Sequence, residues 1–232
     1  MHFNFINTAA LLLALHAGSA VSHSWIELLE AVGPGTKGYM RSWTGRDATT
    51  DTRMTYRIEG PDWESKPICK ETQQARANPP NFPHLKASRK QKVAGYYLEN
   101  GHVSLPPAGN GFTGVTYWFG TNNADPKLPL REVRAWTADG KGGNKQGKLL
   151  ATAPFDDGKC SQPNDSPVSK ARGVGRTGVE KPCRSEFEIP TDDLKPGDVY
   201  TVYWVWDFSW HFGKDKPRVE EWYTACMDIE II

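Results

Sequence analysis

Eight consecutive β-branched and aromatic residues, Val199-Tyr200-Thr201-Val202-Tyr203-Trp204-Val205-Trp206, follow the turn-forming Pro196-Gly197-Asp198 and read as a β-strand. A second strand is predicted at Gly114-Val115-Thr116-Tyr117-Trp118-Phe119-Gly120. Arg131-Glu132-Val133-Arg134-Ala135-Trp136 alternates polar and apolar residues before Asp139-Gly140 and is predicted as a third. In Ala225-Cys226-Met227-Asp228-Ile229-Glu230-Ile231, four apolar residues (Ala225, Met227, Ile229 and Ile231) share one face. A further strand is expected through Ser185-Glu186-Phe187-Glu188-Ile189. No stretch carries a helical apolar period beyond a turn or two, and 22 Gly and 17 Pro punctuate the chain throughout. This pattern predicts an all-β fold, an antiparallel β-sandwich of immunoglobulin/fibronectin-like kind with long loops. The polar stretches 70–91 and 156–182 are expected to be loops, and no repeat or linker divides the chain.

The first 22 residues have a different character. Ala9-Ala10-Leu11-Leu12-Leu13-Ala14-Leu15 is apolar but too short to span a bilayer. Ala20-Val21-Ser22 then supplies the small-x-small pattern of a signal-peptidase site, with Ala17-Gly18-Ser19 as a competing site. Residues 1–22 are therefore expected to be a signal peptide, and residues 23–232 a single secreted domain beginning His23-Ser24-Trp25. A net charge of +1 gives no reason to expect nucleic acid or an anionic membrane as partner, and no later segment is apolar enough to span one. A monomer is expected.

All four cysteines, Cys69, Cys160, Cys183 and Cys226, follow the predicted cleavage site. An even count in an oxidising compartment predicts two disulfides, for which three pairings are available. The nested pairing Cys69–Cys226 with Cys160–Cys183 is preferred. Its outer bridge would close a loop of roughly 150 residues, worth about 5 kcal/mol of chain entropy, and its inner one about 3 kcal/mol. No C-x-x-C spacing suggests zinc.

Four histidines remain after cleavage: His23, His84, His102 and His211. An N-terminal histidine offers its free α-amine and its ring Nδ1 to one metal ion. A second imidazole completes an all-nitrogen, T-shaped set suited to copper, the strongest binder of the divalent series. His102, in Glu99-Asn100-Gly101-His102-Val103-Ser104-Leu105-Pro106 at the approach to a further strand, is the candidate for that second ring. His84 follows Pro83 and is expected to face solvent.

These residues resemble those of the fungal lytic polysaccharide monooxygenases and, more closely, their uncharacterised secreted fungal relatives. The His23–His102 interval is similar to that of the cellulose-active enzymes, and Glu221-Trp222-Tyr223-Thr224-Ala225-Cys226 resembles their Gln-Phe-Tyr-x-x-Cys ending. Pro196-Gly197-Asp198-Val199-Tyr200 and the aromatic strand resemble the segment leading to their outer histidine, here His211. The resemblance implies one copper ion held by His23 and His102 with Tyr223 axial. It implies Glu221 and His211 beside the reacting centre, and a disulfide from Cys226 to the first half. Two departures stand out. The approach to strand 115–119, Gly109-Asn110-Gly111-Phe112-Thr113-Gly114, lacks the family's turn histidine, and Glu221 replaces its Gln.

The function so implied is copper-dependent oxidative cleavage of a polysaccharide such as cellulose, chitin or hemicellulose, driven by an external reductant. Two other readings fit the residues. One is a non-catalytic histidine-brace copper binder or cell-wall-associated protein; the other is a glycan-binding or structural sandwich without metal. Tyr223 also fits the role of a core tyrosine, and His211 that of a packed residue between Trp210 and Phe212. Trp25, Trp43, Trp63, Trp204 and Trp206 are candidate stacking faces for a glycan, at least two of them belonging to the core.

Overall fold

The computed structural model describes residues 23–106, 112–191, 193–211 and 218–232, without the side chains of Trp210 and His211. In chain order its strands begin with β1 (Leu28–Ala31), β2 (Lys37–Tyr39), β3 (Arg57–Glu59), β4 (Leu85–Ala87), β5 (Lys92–Tyr97) and β6 (Val115–Thr121). They continue with β7 (Lys148–Pro154), β8 (Cys183–Glu188), β9 (Val199–Asp207), β10 (Trp210–His211), β11 (Arg218–Val219) and β12 (Glu221–Ile231). Three five-residue helices, α1 (Thr50–Met54), α2 (Leu130–Arg134) and α3 (Pro167–Ala171), lie in the connections.

One sheet runs β2-β1-β5-β8. A second runs β3-β12-β9-β6-β7, with β4 added in parallel to β12, and β10 pairs with β11 in a separate two-stranded ribbon; all other pairings are antiparallel. The architecture is an antiparallel β-sandwich, as the strand pattern predicts. Period-two alternation along β12 and β9 divides their side chains between two cores. Trp204, Trp206, Tyr223, Met227 and Ile229 face the four-stranded sheet and meet Leu29, Val93, Tyr97 and Phe187. Tyr203, Val205, Trp222 and Cys226 point to the outer side and are covered by Ile68, Leu130, Val133 and Trp136. The inner layer is tight. A Cβ on Gly95 of β5 would stand 2.4 Å from the Trp118 ring.

Both disulfides follow the nested pairing: Cys69–Cys226 ties the outer cover to β12, and Cys160–Cys183 anchors β8. Beside the first, Arg41 and Asp228, 1% and 3% exposed, form a two-pronged ion pair. Arg41 Nε donates to Asp228 Oδ2 at 2.8 Å and Nη2 to Oδ1 at 2.7 Å. Thr201 Oγ1 also donates to Oδ1, at 2.7 Å, and Arg41 Nη1 donates to the Gln73 carbonyl at 3.1 Å.

Several expectations need correction. Residues 131–136 are not a strand, because α2 occupies Leu130–Arg134. Leu130, Val133 and Trp136 recur every third residue and are buried together in the outer core, whereas Ala135 of the supposed apolar set is exposed. Helical spacing therefore buries more apolar surface than alternation would. The stretches 70–91 and 156–182 are mostly loop but contain β4 and α3. Residues 101–105 form a turn rather than leading into a strand. Trp25, Trp43, Trp204 and Trp206 are all buried and present no face to a glycan. His84 is only partly exposed and meets Glu230 at 3.3 Å.

Candidate metal centre

The register of β1 on β5 brings His23 toward His102. Leu28 pairs with Tyr96, and the Glu27 N–H continues the ladder to the Tyr96 carbonyl at 3.0 Å. Ser24 Oγ donates to the Leu98 carbonyl at 2.9 Å, and Asn100 Nδ2 donates to the carbonyl of His23. Each step along one segment is a step back along the other, so His23 arrives beside the turn that begins at Glu99.

That turn is built by two backbone inversions and one carboxylate. Asn100 (φ 43) and Gly101 (φ 86) occupy the left-handed region, which Asn and Gly tolerate best. The fully buried Glu99 then accepts the N–H groups of Val103 at 2.8 Å and Ser104 at 3.2 Å, and the Ser104 hydroxyl. The two N–H groups go to Oε2; Oε1, which takes the Ser104 hydroxyl, also accepts the Gln162 N–H at 3.0 Å, pinning the turn to the neighbouring loop. Asn164, the only glycosylation sequon asparagine, is engaged too: Nδ2 donates to Ser104 Oγ at 2.7 Å.

His102 projects from this turn into an aromatic box and is 0% exposed. Its ring stands edge-on to Trp206 at 4.6 Å and to Phe208 at 4.5 Å, with Phe155 at 6.0 Å. Neither ring nitrogen has a hydrogen-bond partner among the described residues. Leaving a buried polar group unsatisfied costs about 1–3 kcal/mol, so a folded chain seldom tolerates one without a use for it. Burial pushes the His102 pKa down to about 3, with the charge of nearby His23 contributing in the same direction. The imidazole is thus neutral, the state a metal ligand requires.

This depressed pKa has a measurable consequence. In the unfolded chain the ring protonates near pH 6.5, while the folded ring does not until about pH 3. Stability present above 6.5 is therefore lost as the pH falls toward 3, by up to about 1.4 kcal/mol per pH unit. Urea unfolding of metal-free protein between pH 7 and pH 4 is expected to show this slope. His102→Phe, which keeps the box filled, should flatten it; an identical slope in that variant would contradict the assignment.

Tyr223 is at the same end of the sandwich. It pairs with Trp206 across β12 and β9, and its ring stacks on that indole at 4.8 Å. Both Tyr223 and His102 therefore pack on Trp206. The Tyr223 hydroxyl donates to Glu221 Oε1 at 2.6 Å. Burial pushes the phenol pKa well up, and the Glu221 charge pushes it further. Two pairs emerge from the predicted set, His23 with His102 and Glu221 with Tyr223, joined through Trp206. His211 ends β10 with its backbone opposite Arg218, and its side chain lies outside the described residues.

Sequence reasoning missed Glu99 and the aromatic box. The Asn100-Gly101 dipeptide signals the turn, but the burial of Glu99 depends on Gln162, and Trp206, Phe208 and Phe155 reach His102 from distant strands. One other group has metal-like spacing, Asp156 with Asp157 and Cys160. It is already committed: Cys160 is disulfide-bonded, Asp156 grips Arg172 at 2.7 and 2.8 Å, and Asp157 accepts the Lys159, Cys160 and Arg184 N–H groups.

Among the described residues no helix is long and apolar enough to cross a membrane. A family model described as "Domain of unknown function (DUF7492)" matches residues 20–232. No curated protein matches the sequence at a significant level. Solved structures with similarity include a cellulose-active polysaccharide monooxygenase from M. thermophila and the protein CvAA9A. Each is 14% identical, with 90% of this chain and 78% of that chain covered and a TM-score of 0.42. Cel61B of Hypocrea jecorina, a glycoside hydrolase family 61 member, is 11% identical over 90% of this chain and 81% of its own, with a TM-score of 0.42. The likeness is distant and assigns no activity to this chain.

Proposed function

The chain belongs to the DUF7492 family, and we propose that it is a secreted copper-binding protein acting in oxidative cleavage of polysaccharide. Removal of residues 1–22 exposes the α-amine of His23, which joins the His23 ring and the His102 ring in one centre. The observation that carries this reading is His102: fully buried, neutral, without a hydrogen-bond partner at either nitrogen among the described residues, and next to His23. An all-nitrogen set of two imidazoles and an amine suits copper above other divalent ions. Copper bound there would supply one-electron redox cycling and activation of oxygen or peroxide.

The chain's own residues define the rest. Asn100 fixes the His23 backbone, and Glu99 fixes the turn that aims His102. Trp206, Phe208 and Phe155 keep water from the His102 ring and hold it neutral. The His23 amine must shed its proton to bind, so affinity falls as the pH drops below its intrinsic pKa, about 8. Tyr223 keeps its phenolic proton, held toward Glu221.

That last contact favours a second reading, a copper-binding protein without oxidative activity. A phenol committed to a carboxylate at 2.6 Å would be a poor ligand for that copper, and Glu221 stands where the resembling enzymes carry a neutral Gln. Copper-loaded mature protein incubated with cellulose, chitin or xylan and ascorbate separates the two. Oxidised oligosaccharides dependent on copper support the first reading. Bound copper with no products supports the second, and failure to bind copper removes both.

A further inference from the structure

Of the five indoles with a candidate stacking role, only Trp63 reaches the surface; Trp25, Trp43, Trp204 and Trp206 are buried. Trp63 begins the short 3₁₀ turn Trp63–Ser65 after β3. It packs on the outer side of the six-stranded sheet, opposite the side that carries Trp206 and Tyr223. Trp222 covers one of its faces, with ring centroids 5.0 Å apart and planes within 17°. The Arg134 guanidinium lies 3.9 Å from the Trp222 centroid and 5.0 Å from that of Trp63. A group on the far face of Trp63 would stand farther from Trp222 than Trp63 itself does, so Arg134 does not cover that face.

Trp63 lines an open cleft of about 590 Å³ with Pro61, Val219, Glu59, Arg218 and Glu220. Its charged groups are held in place. Glu220 accepts Trp222 Nε1–H at 2.9 Å and the Ser209 hydroxyl at 3.2 Å, and Arg218 Nη2 grips both Asp207 oxygens at 2.7 and 2.8 Å. Glu59 accepts Arg57 Nε–H at 3.0 Å. Among the described residues each lining charge has an opposite charge within the protein, Glu220 through Arg218 Nε at 3.3 Å, so the cleft makes no demand for a charged ligand. It offers a flat apolar face rimmed by fixed acceptors and donors.

A pyranose ring is the complement of such a cleft: an apolar C–H face for the indole, and hydroxyls around the edge for carboxylate and guanidinium. We propose that the Trp63 cleft binds a neutral polysaccharide chain, with one sugar ring stacked on the indole. The site lies across the six-stranded sheet from the His102 layer and does not depend on copper. It gives the polysaccharide reading a surface that stands or falls separately from the metal.

The test uses metal-free mature protein titrated with cellohexaose, chitin hexasaccharide and xylohexaose, followed by the indole N–H resonances. At least one hexasaccharide is expected to shift the Trp63 resonance saturably. Trp63→Ala should weaken binding at least about tenfold, while Trp63→Tyr and the remote, exposed Val179→Ala stay within about threefold. No shift with any of the three sugars, or equal affinity in Trp63→Ala, overturns the proposal. Should Trp63→Ala not fold, the Trp63 resonance of the wild-type protein decides alone. A protein that binds sugar but not copper retains this site and loses only the metal reading.

Discussion

Replacing His102 by Ala lowers copper affinity at least about a hundredfold in the proposed centre, an apparent loss of roughly 3 kcal/mol or more. The change removes one of three nitrogen donors and leaves the His23 chelate open to water. It also removes a buried ring from a box formed by Trp206, Phe208 and Phe155. That packing loss must be separated from ligand loss. His102→Phe does so, since it fills the box without offering a nitrogen. Isothermal titration with copper should find both variants equally weakened, while thermal unfolding should find His102→Phe nearer the wild type. Wild-type copper affinity in His102→Phe would remove His102 from the centre.

Asp228→Ala is expected to destabilise the fold by about 3–5 kcal/mol, because it strands the guanidinium of Arg41 in the interior. Arg41 is 1% exposed and spends two of its donors on Asp228, at 2.8 and 2.7 Å. Its remaining contacts, to the Gln73 carbonyl, Thr201 and the Cys69 sulfur, carry no opposite charge. Arg76 adds a second cation 3.8 Å from the same carboxylate, so the positive charge left behind is larger than one pair suggests. In a domain of this size such a loss lowers Tm by on the order of 10 °C. The double change Arg41→Met with Asp228→Leu should cost less than Asp228→Ala alone, since it removes both charges and keeps the volume. Urea unfolding measures all three. A shift below about 1 kcal/mol for Asp228→Ala would show that the pair is not desolvated as the structure has it.

The parts of the fold legible from sequence are those whose information is local. β9 and β6 announce themselves through β-branched and aromatic runs flanked by Gly or Pro, and β8 and β12 through alternation of apolar and polar residues. The cysteine count predicts two disulfides, and of the three available pairings the preferred nested one is the one formed. α2 was misread because Val133 and Ala135 fit alternation while Val133 and Trp136 fit three-residue spacing, and six residues hold too few apolar positions to decide. Leu130, just outside that window, decides for the helix. The centre was half legible. His23 and His102 stand out by position, but nothing near His102 in sequence says that its ring is buried. That burial comes from β9 and from Phe155 after β7, and its turn is pinned by Gln162. Trp63 stood among five equal candidates until the sheets buried the other four.

The proposed centre requires that proteolysis leave a histidine amine poised against a second, water-excluded ring. Electron paramagnetic resonance of the copper-loaded secreted protein, with its N-terminal residue established by mass spectrometry, tests this directly. The expected result is a chain beginning at His23 and a type-2 spectrum with couplings to several nitrogens. Those couplings should be lost when Ser22 is retained in front of His23. A chain that begins elsewhere, or a spectrum indifferent to the added residue, would contradict it.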